Sequence, residues 1–293
     1  MVADSGEPLV GVVGSTLRRL QPTVVCLNEV DLKKSPKGLE AIAAAIGAEH
    51  IHFFGHVRGT YGNALISRLP ILETRDVHLE GGTQVEWPRG SGQVHRIGRG
   101  MLSATLELPP AAAAEGSCPG QEQAVDASPP RGLTVFCTHL DHISEEQRVL
   151  QMDHVIREMR GLGGAPHLLL GDLNALCAED YTEGEWAAVL DKAAQSGWAL
   201  PSDAECVRML LREGYVDAFR AAHPGDGRAL EAGAAKFTAH VGQPMYRIDY
   251  AFISRGAAGA GLRLLGAAVD GSAVGSDHFP LVVDLEWASS CIG

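Results

Sequence analysis

Apolar positions recur at helical spacing in several segments of the chain. Residues 10–20 predict a short helix, and "SPKGLEAIAAAIG" predicts a second helix that ends at Gly47. The clearest helical pattern is "SEEQRVLQMDHVIREMR", where Ser144 and Gln147 are placed for a capping box. Further helical patterns cover residues 184–194 and 203–222. We expect these helices to lie on the outside of the fold.

Strand-like runs outnumber the helices. "VVCLNEVD", residues 24–31, predicts a buried strand that carries Glu29 near its end, and "MLSATLEL" alternates apolar and polar residues at period two. The other runs are "IHFFG", "NALIS", "RDVHL", "LTVFCTHL", "HLLLGDLN", "RIDYAFIS", "LRLLGAAV" and "PLVVDLEW". Because several of these runs are apolar throughout, we expect an α/β protein with two sheets packed together and helices outside.

One long segment has few large apolar side chains that a core could bury. "PPAAAAEGSCPGQEQAVDASPPRG", residues 109–132, is rich in Pro, Gly, Ala and Ser. It is interpreted as a disordered insertion in a hairpin, so residues 1–293 are expected to form a single domain. The glycine-rich stretch "GGTQVEWPRGSG" is interpreted as a flexible loop near the strand ends.

Composition and charge exclude several classes of protein. The 24 Lys and Arg residues face 36 Asp and Glu residues, a formal charge of −12 without a basic cluster, so tight non-specific binding of duplex nucleic acid is not expected. The six cysteines include no C-x-x-C pair and favour reduced thiols. With no cationic leader and no apolar run of about 18 residues, the sequence predicts an intracellular, cytoplasmic protein without a transmembrane segment.

Polar side chains follow strand-like runs at several separate places. Any one of them could be a turn residue or a helix cap, but strand ends in a two-sheet fold meet at one rim, where distant residues can converge. The residues concerned are Glu29, His139, Asp172, Asn174, Asp249, Asp277 and His278.

The residue types in this set select a chemistry. Carboxylates and an amide are hard oxygen ligands, which favour Mg²⁺, with Mn²⁺ or Ca²⁺ as alternatives, over Zn²⁺. Magnesium uses one or two protein carboxylates together with substrate phosphate oxygens, which suits Glu29 and one further Asp. The remaining Asp and His side chains could orient a water and stabilise the charge on phosphorus. The set therefore predicts metal-assisted hydrolysis of a phosphate ester.

The ordered motifs "LNEV", "YGNALISR", "THLDH", "GDLNA", "RIDYAFIS" and "SDHFPLV" resemble the endonuclease/exonuclease/phosphatase superfamily, which has the deoxyribonuclease I-like fold. The resemblance implies a four-layer α/β/β/α sandwich of two packed mixed sheets. It also implies a Mg²⁺-dependent hydrolase that attacks a phosphodiester or phosphomonoester with an activated water.

The resemblance implies a role for each candidate residue. Glu29 would be the metal-binding glutamate, Asp277 would lie on the metal side, and Asn63 would contribute an amide on the phosphate side. Asp172 and Asn174 would position or deprotonate the water and hold the phosphate. His278, oriented by Asp249, would contact the phosphate, and His139 would stabilise a phosphoryl oxygen or the leaving group.

The sequence departs from the superfamily pattern in two places. Asn28 stands where Gln usually precedes the metal-binding glutamate, a change that keeps the amide. The first strand, which ends in an Asn near the metal, has no counterpart in "MVADSGEPL". The absence of that strand would expose the edges of its neighbours. The alternative to an enzyme is therefore a catalytically silent scaffold, or a truncated form of such an enzyme.

Other readings of the sequence are weaker. His50, His52 and His56 have a spacing compatible with a transition-metal site, but no Cys or second cluster accompanies them. Neither a G-x-S-x-G elbow nor a P-loop is present. The substrate stays open between a nucleic acid end or single strand, a nucleotide, and a phosphorylated lipid or inositol.

Overall fold

The computed structural model describes residues 9–88, 90–109, 132–196, 201, 204–224 and 236–287. The insertion expected at 109–132 therefore lies outside the described residues except at its two ends. Its last residue, Gly132, already belongs to a strand.

The predicted helices at the start and middle of the chain are confirmed. The side chain of Ser144 caps its helix by accepting a hydrogen bond from the amide of Gln147, and Gly47 ends the second helix with φ +67°. The helices are α1 (Val10–Leu20), α2 (Gly38–Ile46), α3 (Glu145–Arg160), α4 (Glu183–Ser196), α5 (Glu205–Arg212), α6 (Ala218–Ala222) and α7 (Arg255–Gly259).

The predicted strands are present as well. They are β1 (Val24–Asp31), β2 (His50–Val57), β3 (Tyr61–Ser67), β4 (Ile71–His78), β5 (Gln84–Glu86), β6 (Val94–Arg96), β7 (Gly100–Glu107), β8 (Gly132–His139), β9 (His167–Asp172), β10 (Val216–Asp217), β11 (Asp249–Ile253), β12 (Leu262–Val269) and β13 (Leu281–Trp287). One sheet has six strands in the order β10-β11-β9-β8-β7-β4, and the other strands form the sheets β1-β3-β2, β12-β13 and β5-β6.

Three apolar clusters define four layers. The cluster between the sheets joins Leu102 and Val135 of the six-stranded sheet to Leu65 of β3 and Leu262 of β12. The outer face of the six-stranded sheet packs on α3 and α5, and the outer face of β1-β3-β2 packs on α1 and α2. The α/β/β/α sandwich expected from the sequence is therefore confirmed.

The layer opposite the six-stranded sheet is divided. In the described part of the chain β1 has a ladder partner on one side only, β3, and β13 pairs with β12 alone. One edge of β1 and one edge of β13 are therefore without a ladder partner among the described residues.

Two expectations about local structure were wrong. The helical pattern at 203–222 is broken after Arg212, because Gly214 adopts φ +83° and residues 216–217 then pair with β11 as a strand. The stretch "GGTQVEWPRGSG" is not a loop throughout, because β5 and β6 pair as an antiparallel hairpin in its region.

The sequence also led us to expect reduced thiols and a chain without a transmembrane segment. The cysteines at 26, 137, 177 and 206 are free thiols. Among the described helices, none has the length and apolar character needed to cross a bilayer.

Candidate active site

Three neighbouring strands place three candidate residues in one row. His139, the last residue of β8, is paired in parallel register with Asp172, the last residue of β9. Asp172 is in turn paired with Asp249, the first residue of β11. Because directly opposed residues on paired strands share a face of the sheet, the three side chains meet at one rim.

His278 completes this row from outside the sheet. Its Nδ1 atom lies 2.8 Å from Oδ2 of Asp249. An isolated bridge between His278 and Ala239 fixes the segment that carries it. The convergence predicted from sequence therefore holds for His139, Asp172, Asp249 and His278.

Gly171 allows β9 to lie against β8 at this point. It has φ +149°, and a Cβ atom there would lie 1.9 Å from the carbonyl oxygen of Thr138. No other residue type fits without moving the backbone. The glycine of the GD motif therefore sets the position of the Asp172 carboxylate.

The carboxyl group of Asp172 is buried and accepts a hydrogen bond of 2.8 Å from the amide of Asn174. Burial and the adjacent charge of Asp249 raise the pKa of Asp172 to about 8, against the opposing effect of His278. A carboxyl group with a pKa near neutrality can take up and release a proton.

His278 is held as a cation by its neighbours. Burial lowers its pKa, but the hydrogen bond to Asp249 and the charges of Asp249 and Asp172 outweigh burial and raise the pKa to about 9. His278 therefore presents positive charge at the rim and can interact with a phosphate oxygen.

His139 has the opposite charge state. Burial and the nearby charge of Arg99 lower its pKa well below the usual range, so the ring is neutral. Arg99 donates a hydrogen bond of 3.1 Å to Nδ1, because a guanidinium has only donors. The proton of His139 is consequently on Nε2, which lies 3.6 Å from Oδ2 of Asp172.

Arg99 is a site residue that the sequence did not indicate. It is buried, and its second terminal nitrogen donates 3.0 Å to Nδ1 of His142. Nothing in "RIGRG" distinguishes this arginine from a surface residue, so its place at the site is evident only from the structure. Its guanidinium brings positive charge to the rim beside Asp172 and Glu29.

Asn28 supports the row from the other sheet. Its side chain donates to Oδ1 of Asn63 at 2.9 Å and to the carbonyl oxygen of Thr138 at 3.1 Å, and its own oxygen accepts from the amide of Asp172 at 3.2 Å. Asn63 is fully buried and donates to the carbonyl oxygen of Gly100. The substrate contact proposed for Asn63 stays a prediction, and its observed place is beneath Asn28.

Glu29 lies in a bulge of β1. The register of β1 against β3 shifts between Leu27 and Val30, and Glu29 has φ +56°, an unusual value for a residue with a side chain. Its side chain is exposed and not buried as the strand pattern suggested. Burial and the charge of Glu29 raise the pKa of Tyr61, so the carboxylate lies beside that ring.

The remaining candidates flank the row. The side chain of Asn174 donates 3.1 Å to the carbonyl oxygen of Leu140, and the residue has φ +49°. Asp277 is exposed and adjoins His278, whose pKa its charge helps to raise. The metal roles of Glu29 and Asp277 remain predictions.

Asp249 owes its place partly to a buried ion-pair network. Arg247, two residues earlier, donates 2.7 Å hydrogen bonds to Asp180 and to Asp217, and all three side chains are almost fully buried. The amide of Asp249 itself donates to the hydroxyl of Thr238 at 3.1 Å. These contacts fix the backbone from which the carboxylate projects.

The carboxylates of Asp172 and Asp249 are hard oxygen donors of the kind that a divalent cation accepts. Asp172, Asp249 and His278 each offer a ligand atom within 4.8 Å of the others, and the described part of the chain holds no other such cluster of His, Cys, Asp or Glu. The spacing of His50, His52 and His56 therefore does not produce a transition-metal site, and His52 instead lies 2.7 Å from Asp76.

Comparison with known proteins assigns the chain to a family. The sequence profile of the endonuclease/exonuclease/phosphatase family matches residues 10–278. The chain belongs to the endonuclease/exonuclease/phosphatase family. A search of curated proteins finds no match.

Solved structures of the family share the fold of this endonuclease/exonuclease/phosphatase chain. The human nocturnin catalytic domain with bound sulfate is 16% identical, with a TM-score of 0.62 over 98% of this chain and 88% of that one. The mannosyl-6-phosphatase Bt3783 of Bacteroides thetaiotaomicron is 17% identical, with a TM-score of 0.60 over 94% and 90%. A family protein of Bacteroides vulgatus is 16% identical, with a TM-score of 0.60 over 94% and 88%. At these identities the likeness shows the fold alone.

Proposed function

We propose that this chain is a divalent-metal-dependent phosphoesterase that attacks a phosphate ester with an activated water. The observation that carries the proposal is the row of His139, Asp172 and Asp249 across three strands, completed by His278. One of its structural relatives is a mannosyl-6-phosphatase. Mg²⁺ is the proposed metal, with Mn²⁺ or Ca²⁺ as alternatives.

Glu29 and Asp277 are proposed to hold the cation. Both carboxylates are exposed, and Asp277 directly precedes His278 in the chain. Closely spaced carboxylates such as Asp172 and Asp249 repel each other, and this is the setting in which a divalent cation is bound favourably. When bound, the cation would neutralise phosphate oxygens and lower the pKa of water.

The proton transfers can be assigned to residues of the row. The water oxygen forms a bond to phosphorus, and its proton passes to the carboxylate form of Asp172, whose pKa of about 8 suits that exchange. Asn174, whose backbone amide donates a hydrogen bond to Asp172, is proposed to hold a phosphate oxygen. The bond from phosphorus to the ester oxygen breaks, and that oxygen leaves as an oxyanion that takes up a proton from solvent.

Charge stabilisation is assigned to the two histidines and Arg99. The His278 cation compensates the negative charge that develops on the phosphoryl oxygens. His139 offers its Nε2–H as a neutral donor, in the tautomer that Arg99 enforces. Arg99 acts here as a positioning residue.

The test is hydrolysis of bis-p-nitrophenyl phosphate by the purified full chain with Mg²⁺ or Mn²⁺, with and without EDTA. Turnover that requires the metal supports the proposal. A folded preparation with no metal-dependent turnover would instead favour the catalytically silent scaffold.

A further inference from the structure

A cavity of about 840 Å³ lies beside the candidate active site. Its walls come from β1, the turn between β2 and β3, and the hairpin β5-β6. Cavities of this volume are typical of small-molecule sites. None of the residues assigned above to catalysis or metal binding lines it, so the cavity offers room for a part of the substrate away from the reacting phosphate.

The cavity adjoins the active site through Tyr61. This residue lines the cavity, and the carboxylate of Glu29 lies next to it. The charge of Arg99 also acts on both Tyr61 and His56, the buried residue at the inner wall. The cavity therefore borders Glu29, the proposed metal ligand.

The cavity walls carry an excess of positive charge. Lys33, Arg58 and Arg96 line it, and all three residues are exposed. The one carboxylate in the wall, Asp31, already accepts hydrogen bonds from the amides of Lys33 and Lys34. In a chain with a formal charge of −12, this local surplus favours an anionic ligand.

An exposed aromatic ring stands in the same wall. Trp87, in the turn of the β5-β6 hairpin, is 69% exposed and lines the cavity. An exposed tryptophan in the same cavity as two exposed arginines provides a stacking surface for a planar ring. His56 is 8% exposed, and burial with the charge of Arg99 lowers its pKa to about 4, so the inner wall is uncharged.

We propose that this cavity binds the base and a second phosphate of a nucleotide-type substrate, with the base on Trp87 and the phosphate at Arg58 and Arg96. The inference rests on the proposed function, because it supplies the substrate class for that site. A phosphorylated inositol or lipid headgroup would meet the same cations but would leave Trp87 without a partner. The aromatic wall therefore favours the nucleotide over the headgroup.

The test is calorimetric binding to the full chain in EDTA, so that hydrolysis does not contribute. The probes are adenosine 3′,5′-bisphosphate, which has both ring and phosphates, inositol 1,4-bisphosphate, which lacks the ring, and adenosine, which lacks the phosphates. The bisphosphate nucleotide is expected to bind at least about tenfold more tightly than either of the others, the scale of one stacked base.

Substitutions of the lining residues test whether the nucleotide binds in the cavity. Trp87→Ala should weaken binding of the bisphosphate nucleotide about tenfold, and Trp87→Phe, which keeps a ring, should restore most of it. The double variant Arg58→Ala, Arg96→Ala should weaken binding of the bisphosphate nucleotide by a similar factor. It should leave the affinity for adenosine unchanged. Arg75→Ala, an exposed arginine paired with Glu158, is the matched control and should have no effect.

Two results would overturn the inference. One is equal affinity for the inositol and adenosine bisphosphates, and the other is nucleotide binding that Trp87→Ala leaves intact. Absence of nucleotide binding would also reject it. Because binding is measured without metal, such a failure is distinct from a failure of the proposed function, which metal-dependent hydrolysis of bis-p-nitrophenyl phosphate decides separately.

Discussion

Arg99 donates a hydrogen bond of 3.1 Å to Nδ1 of His139, and this contact decides which nitrogen of the histidine carries the proton. The guanidinium crosses from the segment before β7 to the end of β8, and it also contacts His142. A residue of no evident sequence significance thus orients a predicted catalytic histidine.

Arg99→Gln should lower the turnover of bis-p-nitrophenyl phosphate by about tenfold to a hundredfold, because His139 loses its fixed tautomer. Thermal unfolding should show that the variant is folded. Arg75→Gln, the same change at an exposed arginine, serves as the control. Unchanged turnover in Arg99→Gln would remove Arg99 from the site.

Asp249→Asn should reduce turnover by a factor of about 10² to 10⁴, the range of general acid–base and charge contributions. The amide still reaches Nδ1 of His278 but no longer balances the positive charge of that ring. Steady-state kinetics at saturating substrate measure the effect. A variant with normal turnover would show that His278 does not need Asp249 as its partner.

Glu29→Gln should raise the Mg²⁺ concentration that gives half-maximal activity, because a metal ligand is lost. Asp172→Asn should lower turnover with little change in that midpoint. Mg²⁺ should also raise the melting temperature of the unaltered chain, and Glu29→Gln should remove most of that increase. Identical metal midpoints for the unaltered chain and Glu29→Gln would contradict the role assigned to Glu29.

The sequence predicted the strand ends correctly because each is marked locally. Asp172 ends the apolar run of β9 and Asp249 begins the apolar run of β11, and the row across β8, β9 and β11 follows once those strands are neighbours. Arg99 and the exposed position of Glu29 could not be predicted in this way. They depend on a contact between β7 and β8 and on a bulge in β1, which no local pattern records.

Asn28 is another residue whose contacts could not be predicted from the sequence. In the sequence it was only a shortened substitute for Gln, but in the structure its side chain joins Asn63, Thr138 and the amide of Asp172. The hairpin β5-β6 was also missed, because its two strands have only three residues each and lie among glycines and a proline.

Gly171→Ala should destabilise the protein by at least about 3 kcal/mol, because its φ is +149° and the added Cβ would meet the Thr138 carbonyl at 1.9 Å. Gly184→Ala is the matched control. Gly184 lies in α4 with nothing within 4 Å of an added Cβ. The free energy of unfolding of Gly184→Ala should therefore stay within about 1 kcal/mol of that of the unaltered chain. Urea unfolding of both variants measures the difference, and equal stabilities would contradict the close approach of β8 and β9.

Lowering the pH from 7 to 5 should destabilise the protein in part through His56. Its folded pKa of about 4 lies below the ordinary histidine value of 6.5, so between these values the unfolded chain binds a proton that the folded chain does not. Stability therefore falls as pH falls through this window, by about 2 kcal/mol for this residue alone between pH 7 and 5.

His56→Phe should lose that share of the pH dependence, because phenylalanine does not titrate. His95→Phe, the same change at an exposed histidine, should retain the full pH dependence. Urea unfolding at both pH values provides the comparison. If His56→Phe and the unaltered chain lose equal stability between pH 7 and 5, His56 is not held neutral in the folded protein.

The most direct test of metal-dependent hydrolysis at this rim compares Asp172→Asn with Asp153→Asn in one assay. Asp153 lies on the exposed side of α3, paired with Arg157, so its change is chemically identical but remote from the site. With bis-p-nitrophenyl phosphate and Mg²⁺, the unaltered chain and Asp153→Asn should turn over equally, EDTA should abolish both, and Asp172→Asn should be at least about a hundredfold slower. Turnover in Asp172→Asn that matches the control, or hydrolysis that persists in EDTA, would contradict the account.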